Sequence, residues 1–216
     1  MVYVLTTHYN IFSMKHFYEN IQGWSEFIIP FYEHMVATSD NGATFVEVGA
    51  WKGRSIAYLA TEIINSDKAI FVHAVDTWLG SKEHLKQGFR DDIINDKIYY
   101  EYLNNIEPVK DWVNSIRLPS VEAAKIFYDN SLDLVLLDGD HTTNGVMNDI
   151  EAWWPKIKPG GILAGDDYDS TYWPSVCKAV HDKFGYNDIH LFGTGGIWFK
   201  IKRREVTTFI PDDGSE

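Results

Sequence analysis

A single cysteine, Cys177, in 216 residues excludes a disulfide framework within the chain and leaves no thiol set for a zinc site. The lone thiol suits a reducing compartment. Basic residues are also scarce: 19 Lys and Arg against 31 Asp and Glu give a net charge of −12. Such a chain is a poor electrostatic partner for nucleic acid, whose binding rests on Lys and Arg neutralising phosphates. The one basic cluster, Lys200 to Arg204, is short and reads as a solvated strand end. No apolar run reaches the ~18 residues of a spanning helix. The start, Met1 to Leu5, is too short for a signal peptide and lacks its basic flank. The resulting expectations are no nucleic-acid partner, no membrane and a cytoplasmic location. What is present, 45% hydrophobic and 23% charged residues, is ordinary globular composition, and at this length a single domain over residues 1–216 can bury its own core.

Short apolar runs ending in acidic residues or glycine organise the chain. They are Thr44 to Gly49, Ile70 to Asp76, a weaker Ser115 to Leu118, Leu132 to Asp138, and Gly161 to Asp167. Helical stretches separate them: Ser55 to Ile64, Val121 to Tyr128, Asn144 to Trp154 and Trp173 to Phe184. Near-continuous apolar strands alternating with helices indicate an α/β fold with a mostly parallel sheet covered on both faces. Pro159-Gly160-Gly161 reads as a turn re-entering the sheet. Asp188 to Phe192 and Gly196 to Ile201 are joined by a Gly193-Thr194-Gly195 turn too short for a crossover, so these last strands are antiparallel to each other. Residues 1–40 read as an N-terminal helical segment covering the substrate, with aromatic-rich helices from Phe12 to Ser39. Residues 81–105 form an insertion, either a helix packed on the core or a lid.

In an open parallel sheet, ligands bind beyond the carboxyl ends of the strands. The acidic residues gather there: Glu47, Asp76, Asp138, Asp166 and Asp167. The first strand runs into Gly49-Ala50-Trp51-Lys52-Gly53, where Gly49 permits a tight turn and Gly53 opens the next helix. A dinucleotide fingerprint wants G-x-G-x-x-G, and Trp51 stands where its second glycine belongs. A cofactor without pyrophosphate fits better. Asp76, 27 residues after Gly49, is placed to accept both hydroxyls of a ribose.

Val46-Glu47-Val48-Gly49-Ala50-Trp51-Lys52-Gly53-Arg54-Ser55, Val75-Asp76-Thr77-Trp78, Leu136 to Thr142, Trp154 to Gly161 and Gly165-Asp166-Asp167-Tyr168 together resemble a class I S-adenosylmethionine-dependent methyltransferase. The likeness is to the small bacterial metal-dependent O-methyltransferases of the macrocin sugar type, and more distantly to catechol O-methyltransferase. It spans about Thr44 to Lys200. The resemblance implies a Rossmann-like seven-stranded sheet with an antiparallel C-terminal strand. It implies that Glu47, Gly49, Gly53 and Ser55 line the methionine end of S-adenosylmethionine, that Asp76 takes the ribose, and that Ser120 and Val121 hold the adenine edge. For Ser120 a plain helix N-cap is an equal reading.

Asp138, Asp166 and Asp167 would hold one Mg²⁺ in such enzymes, with Asp138 also bordering the cofactor. Oxygen donors suit a hard cation, and three carboxylates without one would repel each other. His141, three residues beyond Asp138, stands where the related enzymes place a general base, and Asp140 would support the ligands. The implied reaction is methyl transfer to a hydroxyl of a small-molecule acceptor, a sugar diol or a catechol. Three rivals remain: a metal-independent methyltransferase of the same fold, a nicotinamide-dependent oxidoreductase, and a non-catalytic cofactor-binding module. The aromatic segments could equally line the interface of a homo-oligomer. Of the other histidines, His84 could reach a substrate, while His73, His181 and His190 read as structural.

Overall fold

The computed structural model describes residues 13–204; the part of the N-terminal cover expected over residues 1–12 lies outside them. In chain order the elements are α1 (Ile28–Thr38), β1 (Thr44–Val48), α2 (Arg54–Ser66), β2 (Phe71–Asp76), α3 (Lys82–Lys86), α4 (Arg90–Ile94), α5 (Lys97–Asn105), β3 (Val113–Arg117), α6 (Ser120–Ala124), β4 (Leu132–Leu137), α7 (Thr143–Trp153), β5 (Ile157–Tyr168), α8 (Pro174–Phe184), β6 (His190–Phe192) and β7 (Gly196–Ile201). The seven strands form one sheet in the order β3-β2-β1-β4-β5-β7-β6. Strands β1 to β5 run parallel, and β7 is antiparallel to both of its neighbours.

Alternation along each strand sends successive side chains to opposite faces. Phe45, Val72, Leu134 and Leu136 meet α1, α2 and α5 on one face. Val46, Val48, Val135 and Leu137 meet α6, α7 and α8 on the other. With both faces covered, β1 and β4 are apolar almost throughout, as a buried parallel sheet requires. Strand order reverses between β1 and β4, which opens a crevice beyond their carboxyl ends.

Three local expectations change. Pro159-Gly160-Gly161 lies inside β5 as a bulge, with the register against β4 shifting between Leu132 and Leu134. Gly160 N–H donates to Lys202 O and Lys202 N–H to Gly161 O, so backbone pairing absorbs what looked like a free turn. The helix expected over Val121 to Tyr128 stops at Ala124 and trails off in i→i−3 bonds from Lys125, Ile126 and Phe127. The insertion is three short helices rather than one. Tyr102 packs on Trp78 with ring centroids 4.5 Å apart and bonds Ser115 Oγ at 2.6 Å, while Tyr100 is exposed.

The basic cluster, expected as a solvated strand end, straddles the end of β7, but Lys202 within it is held by the protein rather than by solvent. The Lys202 ammonium donates to the carbonyls of Trp154, Pro155 and Ile157 and to Asn130 Oδ1. No helix among the described residues is long and apolar enough to cross a membrane.

Candidate active site

The turn after β1 is set by Gly49, whose φ of +100° is glycine territory; a Cβ there would lie 1.9 Å from the carbonyl oxygen of Asp138. The Gly49 N–H donates to Val75 O and the Asp138 N–H to Val48 O, which sews the ends of β2, β1 and β4 together. Gly53, at φ +85°, precedes α2, and a Cβ there would press on Ile106 and Tyr102.

Asp76 joins two loops. Its Oδ2 accepts the Trp51 amide at 2.8 Å and its Oδ1 the Trp78 amide at 2.7 Å. Trp78 Nε1 in turn donates to Trp51 O at 2.7 Å. Trp51 and Trp78 hold positive φ values of 44° and 55°, a strain of about 1–3 kcal/mol each that the shared carboxylate helps to hold. Burial raises the Asp76 pKa, and the backbone amides pull it back.

Glu47 and Ser55 bind each other. Glu47 is fully buried and accepts from Ser55 Oγ at 2.7 Å and from Tyr32 Oη at 2.6 Å. Burial pushes its carboxyl up to about 8 against the pull of these two donors. A raised carboxyl pKa stabilises the fold below the unfolded value of 4.5, and that contribution is lost as pH rises through about 8. Glu47→Gln is therefore expected to gain stability relative to the parent as pH climbs through this window. Urea unfolding of both proteins between pH 5 and 8.5 checks this; parallel profiles would refute it.

Ser120 is the first residue of α6, and Pro119 occupies the N-cap without a side-chain bond, so the N-cap reading of Ser120 does not hold. Its hydroxyl instead accepts from Trp153 Nε1 at 2.9 Å. Val121 is partly exposed beside it.

Beyond β4 and β5, Asp138, His141 and Asp167 bring one donor atom each within 4.8 Å of one another. His141 Nε2 lies 2.9 Å from Asp167 Oδ2 and 3.6 Å from Asp138 Oδ1. Asp166 adjoins this group; its Oδ1 is buried without a hydrogen-bond partner. Burial and the charges of Asp138 and Asp167 raise the Asp166 pKa, and burial above all raises that of Asp138. Burial opposes the charged form of His141, but bonds and charges from Asp138 and Asp167 outweigh it and hold the imidazolium. Asp167 itself takes a positive φ of 58°. The residues present fit a hard divalent cation: three carboxylates, one bare buried oxygen and an imidazole, with no thiolate. Asp140 turns the loop by accepting the Thr142 amide at 2.8 Å.

Trp173 and Ser175 carry no sequence signal for the site, and others named above take contacts the sequence does not show. The Trp173 ring lies 4.6 Å from that of His141, and Ser175 Oγ donates to the His141 carbonyl at 2.6 Å. Arg54 reaches back to the carbonyls of Tyr18, Glu19 and Ile21 and to Ser25 Oγ, anchoring the N-terminal segment on the first turn of α2. His84 stacks on Trp51 at 3.9 Å, and Lys52 pairs with Glu101, so the insertion closes over the same loop. His73 meets Asn114 and His181 meets Tyr168, in keeping with structural roles.

The strand order, the glycine-bounded turn and the acidic strand ends define a class I methyltransferase. The family model described as a methyltransferase domain matches residues 46–168, and the chain belongs to that family of S-adenosylmethionine-dependent enzymes. Among curated proteins it is similar to the uncharacterised protein y4gI of Sinorhizobium fredii, 30% identical over 122 residues, 56% of this chain and 13% of that protein. A shorter match, 31% over 51 residues, covers 24% of this chain and 14% of the 8-demethyl-8-alpha-L-rhamnosyl tetracenomycin-C 2'-O-methyltransferase of Streptomyces olivaceus. The matched stretches thus span about an eighth of the first protein's length and about a seventh of the second's. Among solved structures, the O-methyltransferase NovP matches with a TM-score of 0.61 at 18% identity, over 82% of this chain and 80% of that one. MycE, a methyltransferase of the mycinamycin pathway solved with Mg, SAH and mycinamycin VI, gives 0.53 at 18% identity over 88% and 53%. At such identities these structures speak for the fold.

Proposed function

We propose that this chain transfers the methyl group of S-adenosylmethionine to a hydroxyl of a small molecule, a sugar diol or catechol-like acceptor, at a Mg²⁺ site formed by Asp138, Asp166 and Asp167. The observation that carries the reading is the convergence of Asp138, His141 and Asp167 beside the Gly49 turn, with the bare Asp166 oxygen next to them. Two of the matched proteins support it: one is a 2'-O-methyltransferase of a rhamnosyl tetracenomycin, and one was solved with Mg. When bound, the cofactor supplies a methyl group on a sulfonium and the cation lowers the pKa of an acceptor hydroxyl.

The chain's own residues do the rest. Gly49 and Gly53 leave room for close backbone approach, and Asp76 orients the ribose. His141 takes the proton released as the new O–CH₃ bond forms and the S–CH₃ bond breaks. The two carboxylates now holding its imidazolium are ones a cation would neutralise, which returns the ring toward the range of a base at neutral pH. Trp173 and Ser175 keep the ring in place.

Calorimetric titration with S-adenosylmethionine tests the cofactor step. Binding in the micromolar range is expected, lost on Asp76→Ala; no heat and no thermal stabilisation would overturn the reading. One observation favours a metal-free variant of the same reaction: the His141–Asp167 ion pair balances charge without a cation. Loss of turnover with a chelator, restored by Mg²⁺, would exclude it.

A further inference from the structure

Helix α7 carries an acid on its buried face. Asp149 is only 7% exposed, and no role in the reaction has so far fallen to it. Burial pushes its carboxyl up to about 6 against a hydrogen bond from Ser120. A carboxyl buried at such cost with one hydroxyl partner does more than fill space, since an apolar residue would pack there without the penalty. In front of it lies a cavity of about 10 Å³, bordered by Asp149, Asp166, His141, Gly139, Val176 and Trp198. That volume suits a single water, provided polar groups hold it. Two line it: Asp149 from the helix side and Asp166 from the strand side.

We propose that Asp149 is a positioning residue for the catalytic cluster, holding one water in this cavity that donates one proton to Asp149 and the other to the Asp166 carboxylate. The inference rests on the cation-assisted reading above. A carboxylate pinned at one oxygen by such an outer contact presents the other in a fixed direction, as outer-shell partners of metal ligands do. It also connects two loops that are distant in sequence, because Ser120 after β3 bonds Asp149, and Asp149 faces the end of β5.

The test measures Mn²⁺ affinity by electron paramagnetic resonance, without cofactor or acceptor, together with a crystal structure of the parent protein. A water within hydrogen-bond distance of both carboxylates is expected. Asp149→Leu should weaken Mn²⁺ binding by about 10–100-fold, whereas Asp149→Asn, which can still hold the water, should stay near the parent. Val176→Leu extends into the cavity and displaces the water while leaving both carboxylates in place, and should weaken binding like Asp149→Leu, which keeps the test valid if the latter misfolds. A purely structural role would lower melting temperatures while leaving Mn²⁺ affinity unchanged, and that result overturns the proposal, as does a dry cavity. A parent protein that binds no Mn²⁺ fails one step earlier: it removes the cation reading and this inference with it. Parent binding matched by both leucine variants removes this inference alone.

Discussion

His141→Ala is expected to lower the turnover of the methylated product by about 10²–10⁴-fold at neutral pH, the usual contribution of a general base. Affinity for S-adenosylmethionine should change little, because the ring lies among Asp138, Asp167 and Trp173 rather than at the Asp76 end of the crevice. The comparison of kcat with cofactor affinity therefore separates this residue from those of the loop proposed to bind the cofactor. Parent-like turnover in the variant would remove His141 from the mechanism. A drop confined to cofactor affinity would move it to the binding surface.

Gly49→Ala should be the most damaging single substitution for the fold, costing more than about 4 kcal/mol, beyond the range of ordinary point changes. Its Cβ would sit 1.9 Å from the Asp138 oxygen and 2.4 Å from the Asp138 carbonyl carbon. Both are backbone atoms held by the Val48–Asp138 hydrogen bond, so relief requires prying β4 from β1. Gly160→Ala is the control: φ there is also positive, at +91°, but nothing lies within 4 Å of the added Cβ. That variant should cost about 1–2 kcal/mol, the price of left-handed backbone alone. Denaturant unfolding of the pair measures the difference; equal losses would mean that the clash is absorbed.

Much of this architecture was legible in the chain because parallel strands buried on both faces write themselves as unbroken apolar runs. Leu132 to Leu137 and Thr44 to Val48 are found where those runs stand. Strand ends were equally readable, since acidic residues interrupt the apolar runs there. The bulge at Gly160 was not legible: glycine marks irregular backbone without saying whether a partner strand continues past it. The surroundings of His141 were hidden too. Trp173 and Ser175 come from beyond β5, and only the pairing of β4 with β5 brings their segment alongside. Glu47 shows the limit from the other direction. Its nearness to Gly49 was readable, but not that Ser55 and Tyr32, the latter from a helix 15 residues upstream, both donate to its carboxylate.

The Asp76 carboxylate, grasping the amides of Trp51 and Trp78 at once, has a consequence for redesign. Two loops fastened to the same side chain cannot change length independently. An insertion in either one would pull its amide off the carboxylate and release the neighbouring left-handed tryptophan. Anyone transplanting the 81–105 segment from a relative to alter acceptor choice should therefore move residues 50–52 and 76–80 with it, as one cassette.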